Sequence, residues 1–391
     1  MEIKININHV GNETFVIPVG SITSSNATEF SEAVKGEPVG DGGITVDAAD
    51  LEYISSAGLR VILMMKKSCG KKSFRVINAN SEVMNVFDVT GFSEMMDIFP
   101  ATKKISVDGC KKIGAGACGE CYRIDDERII KLYYKNVSDE TIENEKALAK
   151  KAFVLGIPTA ISYDIVEADG RKGVVYELIK SKTLTELFRD EPENFEANVK
   201  MYAETCRNIC SIETDDPLLP SFKEVNRLDI DKVPNLTDEE KSYLNRFLDM
   251  IPNKSYCIHG DLNPNNVMVQ NGECCLIDMG EFSKGHPLFD VSRILFSMEY
   301  AVGDSGEMSD FYKISNDTVR KIWKLFFKYF FGCETIEEAI AKDPDVELLY
   351  PLAWFRCCTS MLKGKHYPPE KVEYARKIFH EKLIPYIDSH S

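Results

Sequence analysis

Two short runs, HGDLNPNNVM at 259–268 and LIDMGE at 276–281, constrain this chain more tightly than anything else in its 391 residues. The spacing of Asp261 and Asn266 puts a carboxylate and an amide on one short loop. Asp278 follows a hydrophobic strand, across a hairpin turned at Asn271-Gly272. Phosphoryl transfer asks little covalent chemistry of a protein: a group to orient and deprotonate the acceptor, and oxygen ligands for magnesium. Asp261 is the candidate for the first role. Asn266 and Asp278 are candidates for the second, with Asp278 placed to bridge magnesium to the β- and γ-phosphates. Each residue alone also reads as a turn former or a strand end; all three in this order do not.

Upstream, IGAGACGECYRI at 113–124 holds Gly114, Gly116 and Gly119 in GxGxxG spacing, which dinucleotide-binding folds share. Those folds need a helix after the glycines. Here Cys121–Ile124 and Arg128–Tyr134 read as strands hinged at Asp125-Asp126-Glu127, so the glycines tip a hairpin whose backbone N–H groups can approach phosphates. No GxxxxGK[ST] run occurs, which argues against a P-loop NTPase. Lys131 lies mid-strand in IIKLYYK, where an ammonium needs pairing; α- and β-phosphates and a helix acid would pair it. On the predicted helix from Asp139 to Leu155, the stripe Ile142, Leu148, Ala149 and Ala152 makes Glu145, rather than Glu140 or Glu143, the inward acid. Gly156 ends that helix, and Gly173–Ile179 reads as a buried strand running into a connector.

This set, with GHPLFDVSRI at 285–294, resembles the aminoglycoside phosphotransferase and choline kinase family. The resemblance covers about Cys110 to the C-terminus. It implies an α+β two-lobed protein-kinase-like fold, with an N-lobe over 109–180, a helical C-lobe over 181–391, ATP and Mg2+ as cofactors, and a small-molecule hydroxyl as acceptor. It also implies that Glu177 and Ile179 meet the adenine through connector backbone, that His259 buttresses the catalytic loop, and that Asp290 holds it from below. Many relatives carry a histidine where this chain has Cys210. The absence of an APE-like segment after Asp278 disfavours an ordinary protein kinase. Aromatic helices at Val319–Phe331 and Pro351–Lys363 would line the acceptor pocket by resemblance, while their Phe and Trp at helical spacing read as core.

The first hundred residues follow a different pattern. Ile3, Ile5 and Ile7 recur at period two, and Thr14–Val19, Gly43–Asp47 and Phe74–Ile77 give further strands, four in all. Helices are predicted between Ser56 and Lys67 and over Ser81–Val89, giving a mixed α/β domain over 1–100 and a polar linker over 101–108. LEYISSAGLRVIL at 51–63 and VFDVTGF at 86–92 resemble the STAS domain, the anti-sigma-factor-antagonist fold, so the chain is expected to be multidomain. By that resemblance Ser56 is the residue a partner kinase would phosphorylate, at a helix N-terminus that suits a phosphate. The run here is Ser55-Ser56-Ala57-Gly58, without the aspartate that often precedes the serines in that family. The alternative reading makes Ser55 or Ser56 an N-cap.

The net charge of -15 argues against nucleic acid or an anionic membrane as partner. Twelve scattered cysteines read as reduced thiols of a cytoplasmic protein. CGEC at 118–121 has no second half-site to make a zinc centre. No apolar run reaches the ~18 residues that span a bilayer. The expected function is therefore ATP/Mg-dependent phosphorylation of a small-molecule hydroxyl, with a protein partner at the STAS-like domain. The alternative is an anti-sigma-antagonist-type regulator whose kinase-like part senses nucleotide or phosphorylates the STAS-like domain.

Overall fold

The computed structural model describes residues 3–300, 309, 312–362 and 368–390. The chain divides into two compact units between Ile105 and Ser106.

In the first unit, β1 (Lys4–Val10) and β2 (Glu13–Ile22) form an antiparallel hairpin. Then come α1 (Ala27–Val34), β3 (Gly43–Asp47), β4 (Leu51–Ile54), α2 (Ser56–Cys69), β5 (Phe74–Ala79), α3 (Ser81–Val89), α4 (Phe92–Met95) and β6 (Asp97–Pro100). The sheet runs β1-β2-β3-β5-β6, with β4 also paired to β2. The β2–β3, β3–β5 and β5–β6 pairings are parallel. Burial alternates along β2 at Thr14, Val16 and Pro18, as a sheet with one covered face requires. Leu59, Ile62 and Met65 on α2, with Phe30, Val83 and Phe87 on the other helices, cover that face. The six strands exceed the four read from the sequence. The extra two, β4 and β6, are four residues each and exist through pairing to β2 and β5 rather than through alternation.

A two-residue strand, β7 (Lys103–Lys104), precedes the second unit. There β8 (Lys111–Ala115), β9 (Gly119–Arg123), β10 (Arg128–Tyr133), β11 (Ser162–Ala168) and β12 (Arg171–Glu177) pair antiparallel in the order β11-β12-β10-β9-β8. Helix α5 (Asp139–Val154) lies between β10 and β11 in sequence and starts at Ser138, whose hydroxyl accepts the Thr141 N–H. A cap of this kind is worth ~1 kcal/mol. Ile142 of α5 packs on Tyr133 and Val174 of the sheet.

The remainder is mainly helical: α6 (Leu184–Asp190), α7 (Phe195–Ile209), α8 (Phe222–Asp231), α9 (Asp238–Met250), α10 (Leu288–Leu295), α11 (Asn316–Phe331), α12 (Ile336–Lys342), α13 (Leu349–Met361), α14 (Pro369–Ile378) and α15 (Ile384–His390). Among the described residues two small sheets interrupt it. One joins β13 (Lys182–Thr183), β15 (Val267–Gln270) and β16 (Glu273–Leu276); the other pairs β14 (Tyr256–Ile258) with β17 (Ser283–Gly285). The aromatic stripe of α11 is core: Trp323, Phe326 and Phe327 are buried, and Phe326 packs on Tyr202 of α7. The second predicted aromatic helix begins at Leu349, before Pro351, because proline fits a first helical turn; its expected end, Lys363, lies outside the described residues.

Candidate functional site

Lys131 is on β10, whose neighbours β9 and β12 hold it centrally in the sheet. Its Nζ lies 2.6 Å from Glu145 Oε1 on α5 and 2.9 Å from Asp278 Oδ1. The Lys131 side chain is 16 % exposed and that of Glu145 8 %. Burial would lower the lysine pKa, but the Asp278 and Glu145 carboxylates outweigh it and raise the pKa above its ordinary value. Tyr176 OH reaches the same Glu145 oxygen at 3.5 Å.

The glycine loop is the β8–β9 turn, closed by a 2.9 Å bond from Gly116 N to Gly119 O. Its glycines are not equivalent. A Cβ at Gly119 would lie 2.5 Å from Leu132 O, so only glycine lets the loop cross β10 this closely. Gly114 and Gly116 are exposed, with no such obstruction. In the connector, Glu177 turns back on the sheet. Its N–H bonds Ile161 O at 2.9 Å and its Oε2 accepts the Ile161 N–H at 3.3 Å. Ile179 is half-buried, and its carbonyl accepts from Ser181 N at 3.0 Å. The strand expected over Gly173–Ile179 thus ends at Glu177, where the chain leaves the ladder.

The loop after β14 is held at several points. Asp290 of α10, with no exposed surface, accepts the N–H groups of His259 and Gly260 at 2.8 Å each. Burial pushes its carboxyl up; the His259 ring and the two amides oppose that. His259 Nδ1 lies 3.3 Å from Asp261 N, which can only donate, so Nε2 carries the ring proton and donates to Ile277 O at 3.2 Å. The ring therefore ties the Asp261 loop to the residue preceding Asp278. Gly260, at φ +86°, leaves no room for a Cβ, which would lie 2.6 Å from Glu281 O. Asn266 Nδ2 donates to Asp261 O at 2.9 Å and to Asp261 Oδ2 at 3.2 Å. Asp278, left-handed at φ 63° and ψ 62°, keeps a half-exposed carboxylate. Positive φ is uncommon for a non-glycine residue, though aspartate and asparagine hold it more readily than most, as Asp169 and Asn271 also do here.

These contacts assemble Lys131, Glu145 and Asp278 into one cluster and His259, Asp261, Asn266 and Asp290 into a second. The His259–Ile277 bond joins the two. Three residues not singled out from the sequence also touch the loop. Arg293 of α10 bonds Asp261 Oδ1 through Nε at 2.9 Å and Nη2 at 2.6 Å. Arg356 of α13 donates to Gly260 O at 2.7 Å and Glu281 Oε2 at 2.9 Å, and Tyr202 OH donates to Leu262 O at 2.7 Å. Arg293 had a local signal, three residues beyond Asp290 on the same helix face. Tyr202 and Arg356, 60 and 96 residues from their partners, had none. Burial works against ionisation of Asp261, but Arg293, His259 and Arg356 together hold its carboxyl below the usual aspartate range.

In the first unit, Ser55 is the N-cap of α2, accepting the Gly58 N–H at 3.4 Å, and is buried. Ser56, the first helical residue, is exposed.

The model of the phosphotransferase enzyme family matches residues 109–310, just over half of the chain. The chain belongs to the phosphotransferase enzyme family. The STAS model, described as "Mlab, STAS domain", matches residues 5–98, so the phosphotransferase-family unit carries an N-terminal STAS domain. BtrV of Bordetella bronchiseptica, a protein named as an anti-sigma factor antagonist, is 31% identical over 84 residues, which are 21% of this chain and 70% of BtrV. Among solved structures, the ADP-bound aminoglycoside phosphotransferase APH(2'')-Ib is 16% identical, with 70% of this chain and 93% of that one covered and a TM-score of 0.46. A choline/ethanolamine kinase family protein from Mesorhizobium loti is 17% identical, with 72% and 90% covered and a TM-score of 0.45.

Among the described residues of this family member no three His, Cys, Asp or Glu cluster as a metal site, and no helix is long and apolar enough to cross a membrane. A magnesium site shared with nucleotide needs only one or two protein ligands. Asn266 and Asp278 fit that need. The amide nitrogen of Asn266 is spent on Asp261, which leaves its oxygen to ligate, and Lys131 takes one oxygen of Asp278.

Proposed function

We propose that the second unit transfers the γ-phosphate of ATP to a hydroxyl of a small molecule, and that the STAS domain docks a protein partner. The observation that carries this reading is the pair of clusters joined through His259. The phosphate-side lysine, its acid and Asp278 lie one hydrogen-bonded step from the loop bearing Asp261. In it, Gly114, Gly116 and Gly119 let backbone N–H groups meet phosphates, Lys131 binds α- and β-phosphate oxygens, and connector backbone near Glu177 and Ile179 meets the base. Bound magnesium, held by Asn266 and Asp278, would neutralise charge on the phosphates. Asp261 receives the acceptor hydroxyl as a hydrogen-bond donor and orients it. With its carboxyl held below the usual range, Asp261 is ionised and free to accept the hydroxyl's hydrogen bond. His259 and Asp290 hold the loop and do no chemistry.

The partner contact is read from the STAS domain and from Ser56, exposed at the start of α2, which we take as the residue for phosphorylation. A cytoplasmic setting accords with the twelve cysteines, all free thiols, and the net charge of -15 disfavours nucleic acid or an anionic membrane as partner. The test is a screen of amino alcohols, sugars and aminoglycosides with labelled ATP and magnesium. Labelled product is expected with at least one acceptor class, and Asp261→Asn should abolish it; equal turnover by that variant sinks the reading.

A further inference from the structure

Helix α10 touches the catalytic loop twice. Asp290 takes two backbone amides, and Arg293, three residues on, takes the Asp261 carboxylate. The Arg293 contact is a clamp rather than a surface ion pair. Two of its nitrogens reach one oxygen, Oδ1, while the third donates to Ser297 Oγ at 3.1 Å. The guanidinium lies 5.2 Å from the Phe296 ring centroid, and its side chain is 19 % exposed. Ser297 and Phe296 belong to a π-helical turn, Phe296–Tyr300, that continues α10. Widened turns of this kind cluster at functional sites. Here the turn puts a buried hydroxyl and an aromatic ring against one guanidinium, so Arg293 is fixed from its own helix before it meets Asp261.

On the opposite side, Asn266 Nδ2 holds Oδ2 at 3.2 Å. Each carboxylate oxygen thereby has a partner, the plane of the group is set, and Oδ2, with a single partner among the described residues, keeps a lone pair for the acceptor hydroxyl. The geometry points to Arg293 as a positioning residue for phosphoryl transfer, acting through Asp261: it holds Oδ1 so that the acceptor hydroxyl is aligned for in-line attack. This inference rests on the activity proposed above. Its expected size follows from the sensitivity of such reactions to placement, where an error of about 1 Å costs ~100-fold. A lysine can satisfy the charge but not the two-nitrogen contact, so it should restore only part of the effect.

The full chain carrying Arg293→Met or Arg293→Lys provides the test, read in three ways. With a fluorescent ATP analogue and magnesium, binding should stay within about twofold of wild type, because Lys131, Asn266 and Asp278 remain in place. Turnover of labelled ATP, with whichever acceptor the screen yields, should fall about 10- to 100-fold in Arg293→Met, in kcat rather than in KM for ATP. Arg293→Lys should recover part of it. Unfolding of Asp261→Asn, Arg293→Met and the double variant should be non-additive, since the second substitution removes a contact already lost. Wild-type kcat in Arg293→Met, a loss shared equally by nucleotide binding, or additive unfolding would overturn the inference. A wild type that binds nucleotide and phosphorylates no acceptor instead refutes the proposed activity, and the positioning role with it; non-additive unfolding would then show the clamp alone.

Discussion

Lys131 illustrates how one side chain is set by its surroundings. Mid-strand and mostly covered, it is tolerated because two carboxylates lie within 2.6 and 2.9 Å. Removing the cation leaves Glu145, 8 % exposed, as an uncompensated charge. Breaking such a pair from one side costs about 3 kcal/mol. Lys131→Met is therefore expected to unfold at lower denaturant by about that amount and to lose nucleotide affinity. Adding Glu145→Gln should return part of the stability and none of the affinity; denaturation curves and nucleotide titrations check both. Asp278 is the second test at this scale. Asp278→Asn keeps the left-handed backbone, which asparagine tolerates, but removes the carboxylate charge proposed to hold magnesium. Labelled-ATP turnover should drop by about 100- to 1,000-fold while the fold persists by circular dichroism.

Among the elements, the β8–β9 hairpin is braced outside the site. Glu120 on β9 receives Lys112 Nζ at 2.6 Å, Arg171 Nη1 from β12 at 2.9 Å and Tyr122 OH at 3.2 Å. The Lys112 and Arg171 bonds, ahead of the others, hold its carboxyl down at about 2. A folded-state value below the unfolded one gives stability that is complete above the unfolded value and fades as pH falls toward 2. Glu120→Gln should therefore match wild type below about pH 2 and be the less stable above about pH 5, the gap opening between them. Denaturant midpoints across that range measure it. Helix α10 is the other decisive element. Asp290→Ala would orphan two buried amides at about 1–3 kcal/mol each. The loss should appear as loosened catalytic-loop amides in hydrogen exchange before any global melt.

Across the molecule, the two compact units have separate cores, one gathered on Phe30, Ile62 and Phe87, the other running through the helices from Leu148 to Ile387. Residues 106–391 expressed alone are therefore expected to keep the proposed phosphoryl transfer at the full chain's rate, and residues 1–105 to keep a folded sheet. Separate melting of the two fragments, each near its transition in the full chain, is the check. A 106–391 fragment that is folded yet inactive would assign the STAS domain a part in catalysis.

Much of this was legible in the chain itself, for physical reasons that differ by residue. Lys131 and Glu145 could be paired from sequence because a strand cation in apolar company must find an acid and the 3.6-residue stripe of α5 turns only one acid inward. Asp261, Asn266 and Asp278 were legible because local spacing places them on one loop and one strand end, whereas His259 and Asp290 were reached only through the family resemblance. The short strands β4 and β6 were not, since four residues carry too little alternation to be seen without their partners. Nor could spacing separate Gly119, pressed against Leu132 O, from Gly114 and Gly116, or Ser55 as the cap from Ser56 as the exposed residue. What the sequence by itself determined is the inventory of charged and flexible residues near the site and the elements that carry them. Only the tertiary structure decided that Arg356 and Tyr202 close on the loop bearing Asp261, because contacts between residues 60 and 96 positions apart arise from helix packing, which no local periodicity encodes.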